Sequence, residues 1–396
     1  MPPLHVSPSD TSASAAPLLW AEVDLAAIEH NLRELRRITR PSARLMAVVK
    51  ANAYGHGAVA VARAALQSGA DFLGVARIDE ALALRDAGLA APILVLGYTP
   101  PERAAELLAN DLTQTVFSPE VARALSAAAV PVGGRLRVHL KVDTGMGRIG
   151  LPAGPQAPLQ KAVAAALEIA HLPGLEIQGV FTHFASADST DKTFARLQFD
   201  RFSRFLEILR QNGLEIPIRH AANSAAIIDL PETHLDMVRA GIALYGLYPS
   251  EEVAKDRIRL IPAMTLKARV VQVKSVPAGF SVSYGMTFRT ERPTTIATIP
   301  VGYADGYSRA LSSRGRMIIR EKAVPIAGRV CMDMTMVDAG EIPEVAVGDE
   351  VVIFGRQGAA RLGAEEVAEV LGTISYEVVS ALTARVPRVY VRGVKG

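Results

Sequence analysis

Two hydrophobic rhythms alternate along the first two thirds of the chain. Residues 24–38 show the helical one: Asp24 offers a cap, and Leu25, Ile28, Leu32, Leu35 and Ile38 follow at three- and four-residue spacing with charges between them. Short apolar runs near 45–49, 71–76, 92–97, 113–117, 135–142, 175–183, 216–222 and 235–245 read as strands. Helical patterns fall between most of them, at 58–68, 79–87, 101–109, 119–129, 158–170 and 192–211. Strands that alternate with helices eight times predict an α/β fold, a (β/α)8 barrel of the TIM type over residues 18–250, in preference to an open sheet. From residue 251 the rhythm changes. Segments at 264–276, 294–301, 316–320, 323–330, 334–338 and 350–354 are short, rich in Val, Ile and Thr, and broken by Gly and Pro. They predict a β-rich C-terminal domain over 251–396 with one helix near 363–371. Residues 1–17, rich in Pro, Ser and Ala, lack the basic start and apolar centre of a signal peptide and read as a disordered tail.

Composition narrows the function classes. Lys plus Arg number 43 against 40 for Asp plus Glu, which gives no electrostatic basis for binding nucleic acid or an anionic membrane. No apolar run approaches the roughly 18 residues of a spanning helix. A single cysteine, Cys331, excludes an internal disulfide and a multi-cysteine metal site. No metal is expected, and a reducing, cytoplasmic compartment fits.

Candidate chemistry begins at residues 45–57, Leu-Met-Ala-Val-Val-Lys-Ala-Asn-Ala-Tyr-Gly-His-Gly. An apolar strand that ends on Lys50, followed at once by a small-residue loop, buries the lysine stem and presents the amine to an open site. That is how a lysine acquires a lowered pKa and attacks a carbonyl. In a barrel, active sites gather at the C-terminal ends of the strands. Lys50, Arg148, His183, Asn223, Ser224, Arg239 and Gly241 all fall near such ends.

Lys50 with Ala51-Asn52-Ala53-Tyr54-Gly55-His56-Gly57 resembles the pyridoxal-phosphate lysine motif of the alanine racemase family. The resemblance continues in order through Asp143 to Gly150, Thr182-His183-Phe184-Ala185, Asn223-Ser224-Ala225 and Arg239 to Gly246. It goes on through Val282-Ser283-Tyr284-Gly285, Gly302 to Tyr307 and Cys331-Met332-Asp333, so that it spans the chain from about residue 18 to its end. It implies pyridoxal 5′-phosphate as cofactor, bound through Lys50. Tyr54, Ser224, Gly241, Ile242 and Tyr376 would stand around the cofactor and Arg239 at its pyridine nitrogen. An arginine there donates a hydrogen bond without readily protonating the ring, which favours return of a proton over side reactions such as transamination. Racemisation needs a proton donor and acceptor on each face of a planar carbanion, and the resemblance implies Lys50 for one and Tyr284 for the other. A free phenol is too weakly acidic for this near neutral pH, so Tyr284 needs a partner; His183, oriented by Arg239, is the candidate. Arg148 and the Met332 backbone amide would hold the substrate carboxylate, and Tyr303 with Tyr376 would form a narrow entrance suited to a methyl side chain. Lys141 matches a lysine carbamylated in some relatives. Tyr284 would reach the barrel of a second copy, so a head-to-tail homodimer is implied.

The implied reaction interconverts L- and D-alanine for peptidoglycan precursors. A related barrel decarboxylase of basic amino acids would need to lose the carboxylate that Arg148 is expected to retain. A non-catalytic pyridoxal-phosphate carrier would need neither the β-rich domain nor Tyr284. A racemase of serine or another small amino acid shares every motif above.

Overall fold

The computed structural model describes residues 17–154 and 158–393; apart from Pro17, the expected N-terminal tail lies outside them. The described residues form two compact units. One is a barrel unit, Glu22–Met264 with Ile374–Ala381 and the described residues from Tyr390 on. The other is a β-rich unit, chiefly Thr265–Thr373 with Leu382–Val389.

Eight parallel strands make the barrel: β1 Arg44–Val48, β2 Phe72–Val75, β3 Ile93–Val95, β4 Leu112–Val116, β5 Leu136–Asp143, β6 Leu175–Phe181, β7 Ile218–His220 and β8 Met237–Ala240. They pair in that order, and β8 returns to β1 with Arg239 opposite Met46. Between β7 and β8 the Asp236 N–H donates to the Arg219 carbonyl and the Arg239 N–H to the Ala222 carbonyl, each at 3.0 Å, which closes the ring. The strands are short because both faces are buried, and each needs only enough residues to cross the core.

Side-chain alternation sorts the strands into two cores. On β5, Leu136, Val138, Leu140 and Val142 join the large cluster beneath the surrounding helices. His139 and Lys141 take the opposite parity and point into the barrel. A smaller apolar plug of Met46, Val48, Phe72, Leu94, Ile218 and Met237 fills the lumen. A register shift between Val138 and His139 against β6 re-aims the end of β5 towards the site.

The first helix, Leu25–Ile38, forms as its pattern predicts, with Asp24 accepting from the Ala26 N–H at 2.8 Å. Its buried face carries one polar residue, Asn31. The Asn31 amide donates to the carbonyls of Leu244 (3.2 Å) and Ile261 (2.8 Å), and its oxygen accepts from the Ile261 N–H at 2.8 Å. The helix is thereby tied to the turn that follows β8.

Three sequence expectations need correction. The run 235–245 is a strand only over Met237–Ala240; a 3-10 turn, Ile242–Tyr245, follows. The Ser224 hydroxyl takes the N–H groups of Gly241 and Ala243, so these amides turn away from a ladder. The run 264–276 is two strands, Met264–Arg269 and Gln272–Val276, in different sheets. A helix at Ser375–Ser380 was not anticipated, six residues being too few to display a period.

The β-rich unit holds a sheet with Lys322–Pro325, Arg316–Ile319, Glu350–Gln357 and Met264–Arg269 in that order. It also holds a three-stranded sheet of Gln272–Val276, Thr294–Ile299 and Thr335–Asp338. A two-stranded ribbon, Ser281–Val282 with Phe288–Arg289, carries the Tyr284 turn.

Asn31→Leu should strand the buried Leu244 carbonyl and the part-buried N–H and carbonyl of Ile261. Urea denaturation should show a loss of about 2–3 kcal/mol with an unchanged m-value; a loss within experimental error would mean that the turn is held by packing alone.

Candidate active site

Lys50 follows β1 directly and opens an unusual turn. Ala51, Asn52 and Ala53 have φ values of 51°, 53° and 53°, and Tyr54 has 51°, which is one turn of left-handed helix built from non-glycine residues. Each such residue costs on the order of 1 kcal/mol, so the surroundings must hold the turn in place. Glu80 does much of this. One carboxylate oxygen accepts from the Ala51 N–H at 2.6 Å, and the other accepts from the N–H groups of Ala76 (2.7 Å) and Arg77 (3.1 Å). The Asn52 side chain accepts from the Ala58 N–H at 2.9 Å, and Ala53 is fully buried. The turn sets the Lys50 amine at the barrel mouth. Burial, then the charge of Arg148, lowers its pKa against an opposing pull from Glu80.

The Tyr54 ring lies 4.8 Å from that of Tyr245 and 6.2 Å from that of Tyr376. Burial pushes the Tyr54 phenol up to about 12, so it stays a protonated donor. Tyr245 in turn donates to the Val48 carbonyl at 2.8 Å. A Cβ added at Gly241 would stand 3.1 Å from the Tyr54 hydroxyl and 3.6 Å from the Ser224 hydroxyl. The glycine therefore lets two hydroxyls come close to the backbone. Ser224 engages the amides of Gly241 and Ala243, while the Ile242 N–H between them has no partner among the described residues.

Deeper in the barrel lies Arg239, only 4% exposed, and no carboxylate pairs with it among the described residues. Its guanidinium donates to four neutral acceptors: His220 Nδ1 at 3.0 Å, His183 Nδ1 at 3.1 Å, and the carbonyls of Thr182 and Ala221 at 2.9 Å each. The Phe181 ring lies 5.4 Å from it. Burial first, and the Arg239 charge second, hold His183 and His220 well below the usual imidazole range, hence neutral. Because a guanidinium can only donate, both histidines present a bare Nδ1 to it and carry the proton on Nε2.

Lys141 is buried, donates to the Val142 carbonyl at 2.9 Å, and has its pKa pulled down to about 7 by burial, then by Arg239. Arg148 is exposed on its loop, within electrostatic reach of Lys50, Lys141, His183 and Arg239. Asp143, which accepts from the N–H groups of Gly145, Met146 and Gly147, shapes that loop. Four basic side chains thus converge on one barrel mouth, a field that calls for an anionic ligand.

The model matching residues 23–249 is described as alanine racemase, N-terminal domain, and that matching residues 263–390 as alanine racemase, C-terminal domain. The chain belongs to the alanine racemase family. The alanine racemase of Desulfosudis oleivorans is 59% identical over 377 residues, covering 94% of this chain and 97% of that one. The enzyme of Methanococcus maripaludis is 51% identical over 94% and 98% of the two chains. Among solved structures, that of the Clostridium difficile alanine racemase superposes with a TM-score of 0.90 at 40% identity, covering 96% of this chain and 97% of that one. The Bacillus anthracis alanine racemase with bound L-Ala-P gives 0.90 at 39% identity, with 96% of each chain covered. Membership makes the protein an amino-acid racemase.

The structure brings Lys50, Tyr54, Lys141, His183, Ser224, Arg239, Gly241 and Ile242 together in the barrel unit of this alanine racemase, with Tyr376 beside Tyr54. Tyr284, Tyr303 and Met332 lie in the β-rich unit. There the Tyr303 N–H donates to the Cys331 carbonyl and the Ala304 N–H to that of Met332, both at 3.1 Å. The Ser283 hydroxyl, next to Tyr284, donates to the Arg329 carbonyl at 2.6 Å, which joins the Tyr284 turn to the Cys331–Met332 loop. Sequence reasoning missed Glu80, Tyr245 and His220. Glu80 was visible as an acid in the first turn of a helix; His220 shares its inward parity with Ile218, but its pairing with Arg239 needed three dimensions.

Lys141 titrates lower folded than unfolded, so between about pH 7 and pH 10.5 the unfolded chain binds more protons and stability rises with pH. Urea denaturation at pH 7 and pH 9.5 in CO2-free buffer should show that rise, and Lys141→Met should flatten it by an amount of order 1–3 kcal/mol. Equal slopes in the two proteins would place the lysine in contact with water.

Proposed function

We propose that this alanine racemase works on pyridoxal 5′-phosphate held at the barrel mouth, with Lys50 and Tyr284 serving opposite faces of the substrate Cα. The reaction, interconversion of L- and D-alanine, follows from membership of the family. The observation that carries the mechanistic reading is the gathering of Lys50, Lys141, Arg148 and Arg239 within electrostatic reach of one another, with the Tyr54 and Ser224 hydroxyls brought close to the backbone at Gly241.

The residues fit the cofactor. The hydroxyls of Tyr54 and Ser224 and the Ile242 amide suit a phosphate, Lys50 offers an amine of lowered pKa, and Arg239 offers a donor to a ring nitrogen. When bound, the cofactor supplies an electron sink that acidifies the Cα proton. Everything else falls to the chain. Arg148 and the Met332 amide hold the carboxylate and fix which face meets which base. Lys50, freed as a neutral amine, takes or returns the proton on its side. On the other side the phenol of Tyr284 does the same, aided by His183: its Nδ1 is tied to Arg239, so its Nε2–H can donate to the phenolate oxygen. Arg239 donates to the ring nitrogen without giving up its proton, which favours return of the proton to Cα over transamination.

Tyr284 is 70% exposed in the β-rich unit, and Met286, Met332, Met334 and Tyr303 are exposed in the same unit. Large apolar side chains so exposed fit an interface. A second copy of the chain, related head to tail, would cover them and receive Tyr284 in its barrel. We assign Tyr303 and Tyr376 to the substrate entrance, whose width favours a methyl side chain. Lys141, neutral above about pH 7, is suited to carbamylation by CO2, and the carbamate would steady Arg148. Bicarbonate should then raise the stability of wild type but not of Lys141→Met while the rise with pH persists, because unfolding of the carbamate still takes up a proton to restore the ammonium. No helix among the described residues is long and apolar enough to cross a membrane; we place the enzyme in the cytoplasm, supplying D-alanine to peptidoglycan synthesis.

Chiral chromatography after incubating the cofactor-loaded protein with L-alanine in deuterated water should yield D-alanine bearing deuterium at Cα. Unaltered L-alanine beside rapid turnover of L-serine would shift the assignment to another small amino acid. Lys50→Ala and Tyr284→Phe should each be inactive alone. Mixed and allowed to exchange subunits, they should recover up to about a quarter of wild-type activity, since half the dimers are mixed and each has one intact site. No recovery despite proven exchange would mean that both bases come from one chain.

A further inference from the structure

His139, on β5 inside the barrel, extends the arginine–histidine array by one member that the chemistry above does not use. Its Nδ1 lies 2.9 Å from His220 Nε2, and both rings are fully buried. The rings meet edge-on at 5.0 Å, while Phe181 stacks on His220 at 4.7 Å and pins its plane.

Directions of donation follow from Arg239. Its Nη1 donates to His220 Nδ1, so that nitrogen is bare and the single proton of the neutral ring sits on Nε2. The Nε2–H then donates to His139 Nδ1, which must also be bare. His139 therefore carries its own proton on Nε2, and its ring also interacts with the Gln178 side chain, which opposes part of the effect of burial. Burial holds the ring down to about 3, hence neutral. A leucine would fill this part of the lumen without a buried polar atom. The backbone also makes room for the imidazole: a Cβ at Gly179, its neighbour on β6, would lie 2.6 Å from three of its ring atoms.

We propose that His139 is a positioning residue: by accepting from His220 Nε2–H it anchors the far side of that ring, and so fixes where His220 holds the Arg239 guanidinium. Without that acceptor, His220 would bury an unpaired donor. Arg239 would still hold its Nδ1 bare, but the ring would lose the anchor on its far side and could shift away from the guanidinium. The inference rests on the assignment of Arg239 to the pyridine nitrogen, and the test separates the two.

Two variants divide the possibilities. His139→Asn can place an amide oxygen near the Nδ1 position and keep the acceptor; His139→Leu removes it. In 15N-histidine-labelled protein without cofactor, imidazole spectra should show bare Nδ1 at His220 in all three proteins, with the Nε2–H resonance at a hydrogen-bonded position in wild type and His139→Asn and shifted to an unbonded position in His139→Leu. In the loaded enzyme, His139→Leu should lose about tenfold in kcat with KM within about twofold. Its pyruvate yield per racemisation should rise about tenfold, pyruvate marking transfer of the amino group to the cofactor; His139→Asn should restore both. An unchanged His220 Nε2–H resonance and pyruvate ratio in His139→Leu, beside a raised ratio in Arg239→Glu, would overturn the role of His139 alone. An Arg239→Glu enzyme with a wild-type ratio would instead overturn the assignment of Arg239. Should His139→Leu fail to fold, the wild-type spectrum still decides: protonated Nδ1 at His220 rejects the proposal.

Discussion

A positive charge sits inside the barrel, and no carboxylate among the described residues pairs with it. Arg239 is compensated only by dipoles, two imidazole nitrogens and two carbonyl oxygens, and much else in the site follows from that choice. A paired acid would neutralise the field; neutral acceptors leave it to act outward. Burial first and this field second keep two histidines from protonating and lower Lys141, and the field joins Arg148 and Lys50 in preparing the mouth for anions. It also dictates which nitrogen of each neighbouring ring bears hydrogen, so that an electrostatic decision becomes a geometric one.

Strain complements the field. The left-handed turn after Lys50 is a conformation the sequence does not favour locally, for Ala and Tyr have no preference for positive φ. It persists because Glu80, bound to backbone amides on two successive loops, leaves the turn no alternative that keeps those amides satisfied. The same carboxylate therefore holds the amine in position and opposes part of the lowering that burial and Arg148 impose on it.

The barrel was legible because each strand is a short apolar run between amphipathic helices, and the lysine, arginine and serine motifs sit at strand ends where such folds gather their chemistry. Residues that act through others were less visible. Glu80 looks like an ordinary helix-start acid, and the pairing of His139 with His220 joins residues 81 apart in sequence, to which no local period gives a clue. Boundaries suffered where a side chain competed for backbone amides: Ser224 ended β8 four residues after it began, in a stretch whose apolar pattern ran on to Tyr245. The helix at Ser375–Ser380, which belongs to the barrel unit, was too short to announce itself.

Gly179 gives the barrel an unexpected dependence. Its missing side chain is occupied by the imidazole of a residue on the neighbouring strand, so the two positions share one volume. A methyl group at 179 would evict the ring, and a smaller residue at 139 would leave a hole that glycine cannot fill. Neither can drift alone. Across a lineage the pair would be inherited as a single character, a glycine and a histidine kept or exchanged together, although only one of them ever forms a hydrogen bond towards the arginine.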